Sequence, residues 1–318
     1  MENQNYNGII PDPRSEEEKA KDYKTSDLAQ GEIILNWVDI NDKHLKSFII
    51  QNQDGSSSCV AQATSKILAM HEVKEGKTYT QLCPKFIYTR RANYPDGGMF
   101  LPNALDIACR YGSCPEIMMP CDNKGESFMN DKNEFADCAP EALKYKGKAY
   151  FKIVGGIDKV AEILEQGYGV LIGARFDYDE WTDVPFLKPN STLKCGHGIA
   201  VVDYCLYEGK KALVIEDSWG PGYGKGGRRI ITEDFFNARV FYKGYITSLE
   251  DVKFIFTKTL RYGMPKCLDV RMLQTKLGIT ADGIFGKMTR LAVMKFQIKN
   301  LLVPDGIVGP KTNTVLNL

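Results

Sequence analysis

At 318 residues, with 43% hydrophobic and 25% charged composition, the chain can bury a full core and is predicted to hold two domains. Its net charge of +1, with no dominant run of Lys or Arg, gives no reason to invoke nucleic acid or an acidic membrane surface. No segment approaches the length of a membrane span.

The N-terminus, MENQNYNGIIPDPRSEEEKAKDY, lacks a basic start followed by an apolar run, so synthesis in the cytoplasm without a signal peptide is expected. Residues 1–31 are polar, carry the charge run SEEEKAK and show no sustained period; they are read as a polar, mobile arm. Nine cysteines, odd in number and without a CxxC pair, point to thiols rather than a disulfide framework. Cys109, Cys114, Cys121 and Cys138 fit no zinc spacing, and no HExxH pair is present. Neither metal nor cofactor is expected.

From Ile33 two short apolar runs lead into QDGSSSCVAQATSKILAM, Gln53 to Met70. Val60, Ala63, Ile67 and Met70 recur at helical spacing, Ser58 is a good N-cap type, and Gly76 stands where the helix could stop. Cys59 then sits in the first turn, facing the positive end of the helix dipole, which favours a nucleophilic thiolate. Gly55 lets the chain fold back, so that the Gln53 amide and the Cys59 backbone N–H could form an oxyanion hole.

Helices are predicted from Pro84 to Ala92, from Pro102 to Tyr111 and from Ile157 to Gln166, with the turn Asp96-Gly97-Gly98 between the first two. The character then changes. GVLIGARF from Gly169, GIAVVDYCLY from Gly198 and KALVIED from Lys211 are β-branched runs bounded by turn residues. Helices followed by strands predict an α+β domain with two unlike halves and a cleft at their seam. His197 opens the second strand run and Asp217 closes the third, so antiparallel pairing would bring them to one rim. His44 and His71 are poorly placed to meet Cys59.

These landmarks resemble the papain-like cysteine peptidases over roughly Ile33 to Thr257. The carrying residues are Gln53, GSSSC ending at Cys59, Gly97-Gly98, CGHGIAVVDY around His197, and DSWGPGYGKGG from Asp217. The resemblance implies a helical half plus a β-barrel-like half with a cleft between. It also implies that Cys59 attacks a peptide carbonyl, His197 forms the ion pair and protonates the leaving amine, and Gln53 supports the oxyanion. Gly97 and Gly98 would line the substrate cleft, and Trp219 would shield the histidine. Three departures stand out. Asp217 replaces the family's orienting Asn and should favour charged His197; exchange back to Asn is expected to preserve much of the rate. Val60 replaces a usual Trp, leaving one cleft wall smaller. Ser56 and Pro95 replace half-cystines of a familiar disulfide. The short arm also differs from the long inhibitory propeptides of eukaryotic relatives, implying an enzyme made active or kept safe by location.

After a linker at 259–265, helical periodicity restarts. Asp282-Gly283-Ile284-Phe285-Gly286 with Thr289 repeats as Asp305-Gly306-Ile307-Val308-Gly309 with Thr312, offset by 23 residues. With the LQ..LG and FQ landmarks, residues 266–318 resemble the small three-helix peptidoglycan-binding domain of bacterial and phage wall hydrolases. The expected organisation is an arm at 1–31, a peptidase domain at 32–258, the linker, and this tail. The expected function is a Cys-His-Asp endopeptidase cleaving peptidoglycan stem or bridge peptides, acting at the bacterial wall as a phage-type lysin or particle-carried enzyme. A wall-anchored general protease and a dead wall-binding fold are the alternatives.

Overall fold

The computed structural model describes residues 8–20, 22–27, 33–44, 48–132, 138–247 and 258–316. The expected arm-to-domain boundary at 31–32, residues 248–257 and the last two residues of the tail lie outside these. The chain divides into two compact units: residues 1–14 with 33–247, and residues 15–32 with 248–318.

In the first unit the helix Cys59–Lys74 is buried on nearly every side from Cys59 to Glu72. Its apolar residues pack with the helices Pro84–Tyr88 and Leu101–Arg110 to form the helical half. Ser58 precedes the helix but does not cap it; its Oγ lies 2.7 Å from Ser56 Oγ instead. The helix ends next to Gly76, whose φ of 80° suits a residue without Cβ.

The other half is a six-stranded antiparallel sheet of β1 (Ala149–Lys152), β2 (Val170–Phe176), β3 (Cys195–Tyr207), β4 (Lys210–Glu216), β5 (Arg228–Thr232) and β6 (Val240–Thr247). Strand order is β1-β6-β2-β3-β4-β5. The helix Ile157–Glu165 stands where the sequence placed it, and the short helix Glu233–Arg239 links β5 to β6. Among the described residues no helix is long and apolar enough to cross a membrane.

The second unit contains the helices Leu268–Lys276, Lys287–Lys299 and Pro310–Leu316. Its internal repeat has a physical basis in two buried glutamines. Gln274 Nε2 donates to Asp282 Oδ1 (2.7 Å), Ile284 O (3.0 Å) and Thr289 Oγ1 (2.8 Å), while its Oε1 accepts from Gly283 N. Gln297 does the same with Asp305 (2.8 Å), Ile307 (2.9 Å), Thr312 (3.1 Å) and Gly306. Each glutamine therefore locks the following Asp-Gly turn onto its helix. Gln297→Leu leaves the Gly306 N–H and the Ile307 carbonyl short of a partner, and should destabilise this unit by about 2–4 kcal/mol. Urea titration of the tail would check this, and an unchanged midpoint would refute it.

Candidate active site

Cys59 opens its helix and is 1% exposed. Facing it, β3 brings Gly198 so close that a Cβ there would lie 2.8 Å from Val60 Cγ2 and 2.9 Å from Val60 Cα. Only glycine permits that approach, which puts the Gly198 N–H 3.3 Å from Cys59 Sγ. Val60 is fully buried against this glycine, so it supports the helix–sheet seam rather than forming the cleft wall expected of it.

His197 lies one residue before Gly198 on β3, opposite Ala174 of β2. Asp217 follows the last residue of β4, whose Glu216 pairs with Ala200. That antiparallel register brings His197 Nε2 within 2.8 Å of Asp217 Oδ1, both side chains fully buried. The other ring nitrogen, Nδ1, is buried without a well-aligned partner, and the Cys59 thiol is the group that it meets. Gln53 is 1% exposed. Its Nε2 donates to Ser56 O, its Oε1 accepts from Ser218 Oγ at 2.6 Å, and its backbone N–H donates to Ser218 O at 2.8 Å. One Nε2 hydrogen remains for an oxyanion. The structure thus assembles Cys59, His197 and Asp217 and fixes Gln53 onto the residue after Asp217. Trp219 lies over the histidine, ring centroids 5.2 Å apart. His71 is buried against Tyr168 and His44 bonds to Asn41, both away from this constellation.

Two residues of the site were missed from the sequence, Trp181 and Arg229. Asp217 Oδ2 accepts from Trp181 Nε1 at 2.8 Å and from Arg229 Nε at 2.9 Å, while Oδ1 also accepts from Ser218 N at 2.8 Å. Arg229, 3% exposed, further donates to Trp181 O at 3.0 Å and lies over the rings of Trp181 and Trp219. The aspartate that replaces the family's Asn therefore carries its own counter-ion. Burial alone would raise the Asp217 carboxyl, but His197 and Arg229 hold it below the usual carboxylate range. Burial likewise opposes charge on His197, yet Asp217, aided by Cys59, pushes the imidazole up to about 9. The raised value sets a sign: the imidazolium is present below that pH and lost above it. With the cleft open, turnover should persist through pH 7–8 and fall as pH passes about 9. A pH–rate profile whose alkaline limb lies near the ordinary imidazole value of about 6.5 would contradict this.

The N-terminal segment is the least expected part of the site. Residues 8–14 are not a detached arm: Met99 N donates to Gly8 O at 3.0 Å and Ile10 N to Met99 O at 3.3 Å, a parallel bridge of Ile9 with Met99. A Cβ on Gly8 would overlap Cys59 Sγ, so this backbone lies directly on the Cys59 sulfur. Ile9 covers the bare backbone of β2 and β3, where a Cβ at Gly173 or Gly196 would stand 3.4 or 3.6 Å from it. Residues 8–10 pair with Met99, the residue that follows the Gly97-Gly98 turn expected to line the cleft. Gly98, at φ 75°, donates its N–H to Tyr88 Oη at 3.0 Å, and Gly97 lies against Ser57.

Among the described residues, metal-ligand side chains gather in two places outside this cleft, Cys83 with Glu116 and Cys121, and His71 with Glu72 and Glu75.

Among solved structures the chain is similar to xylellain, a cysteine protease from Xylella fastidiosa, at 19% identity and TM-score 0.63, covering 77% of this chain and 97% of that one. The fold is that of the papain-like cysteine peptidases. Digestive procathepsin L2 of Tenebrio molitor larval midgut shares it at 16% identity and TM-score 0.60, covering 77% of this chain and 79% of that one. So does bromelain from Ananas comosus, at 13% identity and TM-score 0.53, over 65% and 96%. Residues 269–316 match the family described as "Putative peptidoglycan binding domain". Comparison with curated protein sequences finds no match.

Proposed function

We propose that this protein is a latent cysteine endopeptidase held at the bacterial wall by its C-terminal unit. The observation that carries the reading is the Cys59–His197–Asp217 arrangement at the head of a buried helix in a papain-like fold. In this mechanism Cys59 Sγ attacks the substrate carbonyl, and the Cys59 N–H and Gln53 Nε2 receive the oxyanion. His197 then gives its proton to the leaving amine and later takes one from the water that hydrolyses the thioester. Asp217 holds the imidazole by its Nε2–H throughout.

The match of residues 269–316 supports delivery to peptidoglycan, and with it cleavage of stem or bridge peptides in the manner of an endolysin. A second reading, proteolysis of wall-associated proteins, is favoured by Ile9. The notch over Gly173 and Gly196 accepts a branched apolar side chain. Wall peptides are built mainly of alanine, glycine, acidic and diamino residues, whereas protein segments supply such side chains freely.

Protein freed of residues 1–14 should be incubated, with reductant, against isolated peptidoglycan and against unfolded casein, and the new amine ends identified by mass spectrometry. Ends in stem or bridge peptides establish the wall endopeptidase; ends in casein alone establish the second reading. Cys59→Ala should abolish hydrolysis and leave wall binding intact. Turnover retained in that variant, or silence of the parent on both substrates, would remove the proposal.

A further inference from the structure

Beyond the cleft, four buried cysteines of the helical half lie in a chain of contacts. Cys121 Sγ lies 2.7 Å from Cys83 Sγ, Cys83 interacts with Cys114, and Cys114 with Cys138. The first contact differs from the others. At 2.7 Å the two sulfurs are well inside the separation of non-bonded thiols and within a small shift of the ~2.05 Å covalent bond. They are also too close to flank a zinc ion, whose ~2.3 Å bonds in tetrahedral array hold sulfurs nearly 4 Å apart. Glu116, the remaining metal-ligand type here, spends one carboxylate oxygen on the N–H groups of Cys121 (2.6 Å) and Asp122 (2.7 Å).

The position of the pair gives a bond there a consequence. Cys83 immediately precedes the helix Pro84–Tyr88, and its N–H donates to Cys114 O at 2.8 Å. Cys121 leads into Asp122 and Asn123, and these two grip the segment that carries the oxyanion glutamine. Asn52 N donates to Asp122 Oδ1 at 2.6 Å, Asn123 N donates to Asn52 O at 2.8 Å, and Asn52 Nδ2 donates to Asn123 Oδ1 at 3.0 Å. Gln53 is the next residue.

We infer that Cys83 and Cys121 form a disulfide when the chain folds in an oxidising compartment, and that this bond braces the Asp122–Asn123 clamp on the Asn52–Gln53 segment. The reaction is thiol–disulfide exchange with a low-molecular-weight disulfide. The thiolate of one cysteine displaces one thiol of the reagent to give a mixed disulfide; the second protein thiolate then displaces the other. Two protein thiols are oxidised, and two reagent thiols leave with their protons. Burial raises both thiols above their ordinary range in the folded protein, so exchange proceeds during folding, before the pair is covered. The inference departs from the all-thiol expectation and is independent of which amide the enzyme cuts.

The test uses the full chain, denatured and reduced, then refolded either in a glutathione redox mixture or in excess reductant. Each sample is alkylated in denaturant and digested after Lys/Arg and after Glu. Glu116 lies between Cys114 and Cys121, so these fall on separate peptides. The expected product of the redox refolding is the peptide Thr78–Lys85 joined to Ile117–Lys124, absent from the reduced sample. The linked protein should melt roughly 8–16 °C above the reduced one, as a bridge closing a loop of this length predicts. Full alkylation of both cysteines after redox refolding, a link of Cys83 to Cys114 instead, or stoichiometric zinc protecting the thiols would overturn the bond. Equal melting temperatures would overturn the brace.

Discussion

Protein beginning at residue 15 should hydrolyse a small peptide amide about 100-fold faster than the full chain, because residues 8–10 occupy the place of a substrate backbone. Their bonds to Met99 use the main-chain groups that an extended substrate would use, and Gly8 lies on Cys59 Sγ. A tethered segment acts at an effective concentration on the order of 1 mM; if its intrinsic affinity is ~10 µM, only about 1% of sites are open. The same release should follow from Gly8→Val without any truncation, since a side chain at position 8 has no space beside the sulfur. Residues 15–32 belong to the other compact unit, so a cut at the Arg14–Ser15 bond separates the blocking segment from the rest of the arm. Initial rates with reductant, normalised by titration with a thiol-directed electrophile, provide the measurement. Equal rates in all three proteins would show that the segment yields to substrate without cost and that the chain is active as made.

The expectation of an enzyme made active or kept safe by location rested on the shortness of the arm, and the proposed block by residues 8–10 shows what length alone does not reveal. Gly8, Ile9 and Ile10 are three modest residues in a polar stretch, and what places them is main-chain pairing, which leaves no compositional trace. The Cys59 helix and strands β2, β3 and β4 were legible because each buries an apolar run with its own period. Strands β5 and β6 were not. β5 opens with Arg228 and Arg229, which read as the tail of a glycine-rich turn, and β6 interleaves Lys243 and Gly244 with its aromatic residues. In the candidate site, Gln53, Cys59, His197 and Asp217 could be singled out because their spacing matches a known pattern. Trp181 and Arg229 could not, because Arg229 meets Asp217 only after β5 has paired with β4, and Trp181 only from the short turn Tyr178–Glu180 that follows β2. A signal did exist: an acidic residue where the family carries a neutral amide requires a buried cation from somewhere. Likewise the tail's repeat showed its turns, while the role of Gln274 and Gln297 in holding them emerged only from their bonds.

That cation reverses the expected outcome of returning Asp217 to the family's residue. Asp217→Asn should lose about 3–5 kcal/mol of stability and most of the activity, rather than preserve the rate. The carboxylate accepts four hydrogen bonds, from His197, Ser218, Trp181 and Arg229. An amide has one accepting end. If its oxygen faces His197, its NH2 points at the donors of Trp181 and Arg229; turned about, it opposes the histidine N–H and loses the orientation that catalysis needs. In either pose the Arg229 guanidinium stays buried without a counter-charge, the situation in which breaking an ion pair costs most. Removing the charge from both sides should therefore recover stability, and Asp217→Asn with Arg229→Met is expected to exceed the single Asn variant by about 2 kcal/mol or more. Urea unfolding of the wild type, both single variants and the double variant gives the coupling energy directly, and kcat on protein lacking residues 1–14 reports the catalytic part. An Asn variant as stable and active as the parent would show that Arg229 finds solvent or another partner. A double variant no better than the single would place the loss in the orientation of His197 rather than in the stranded charge.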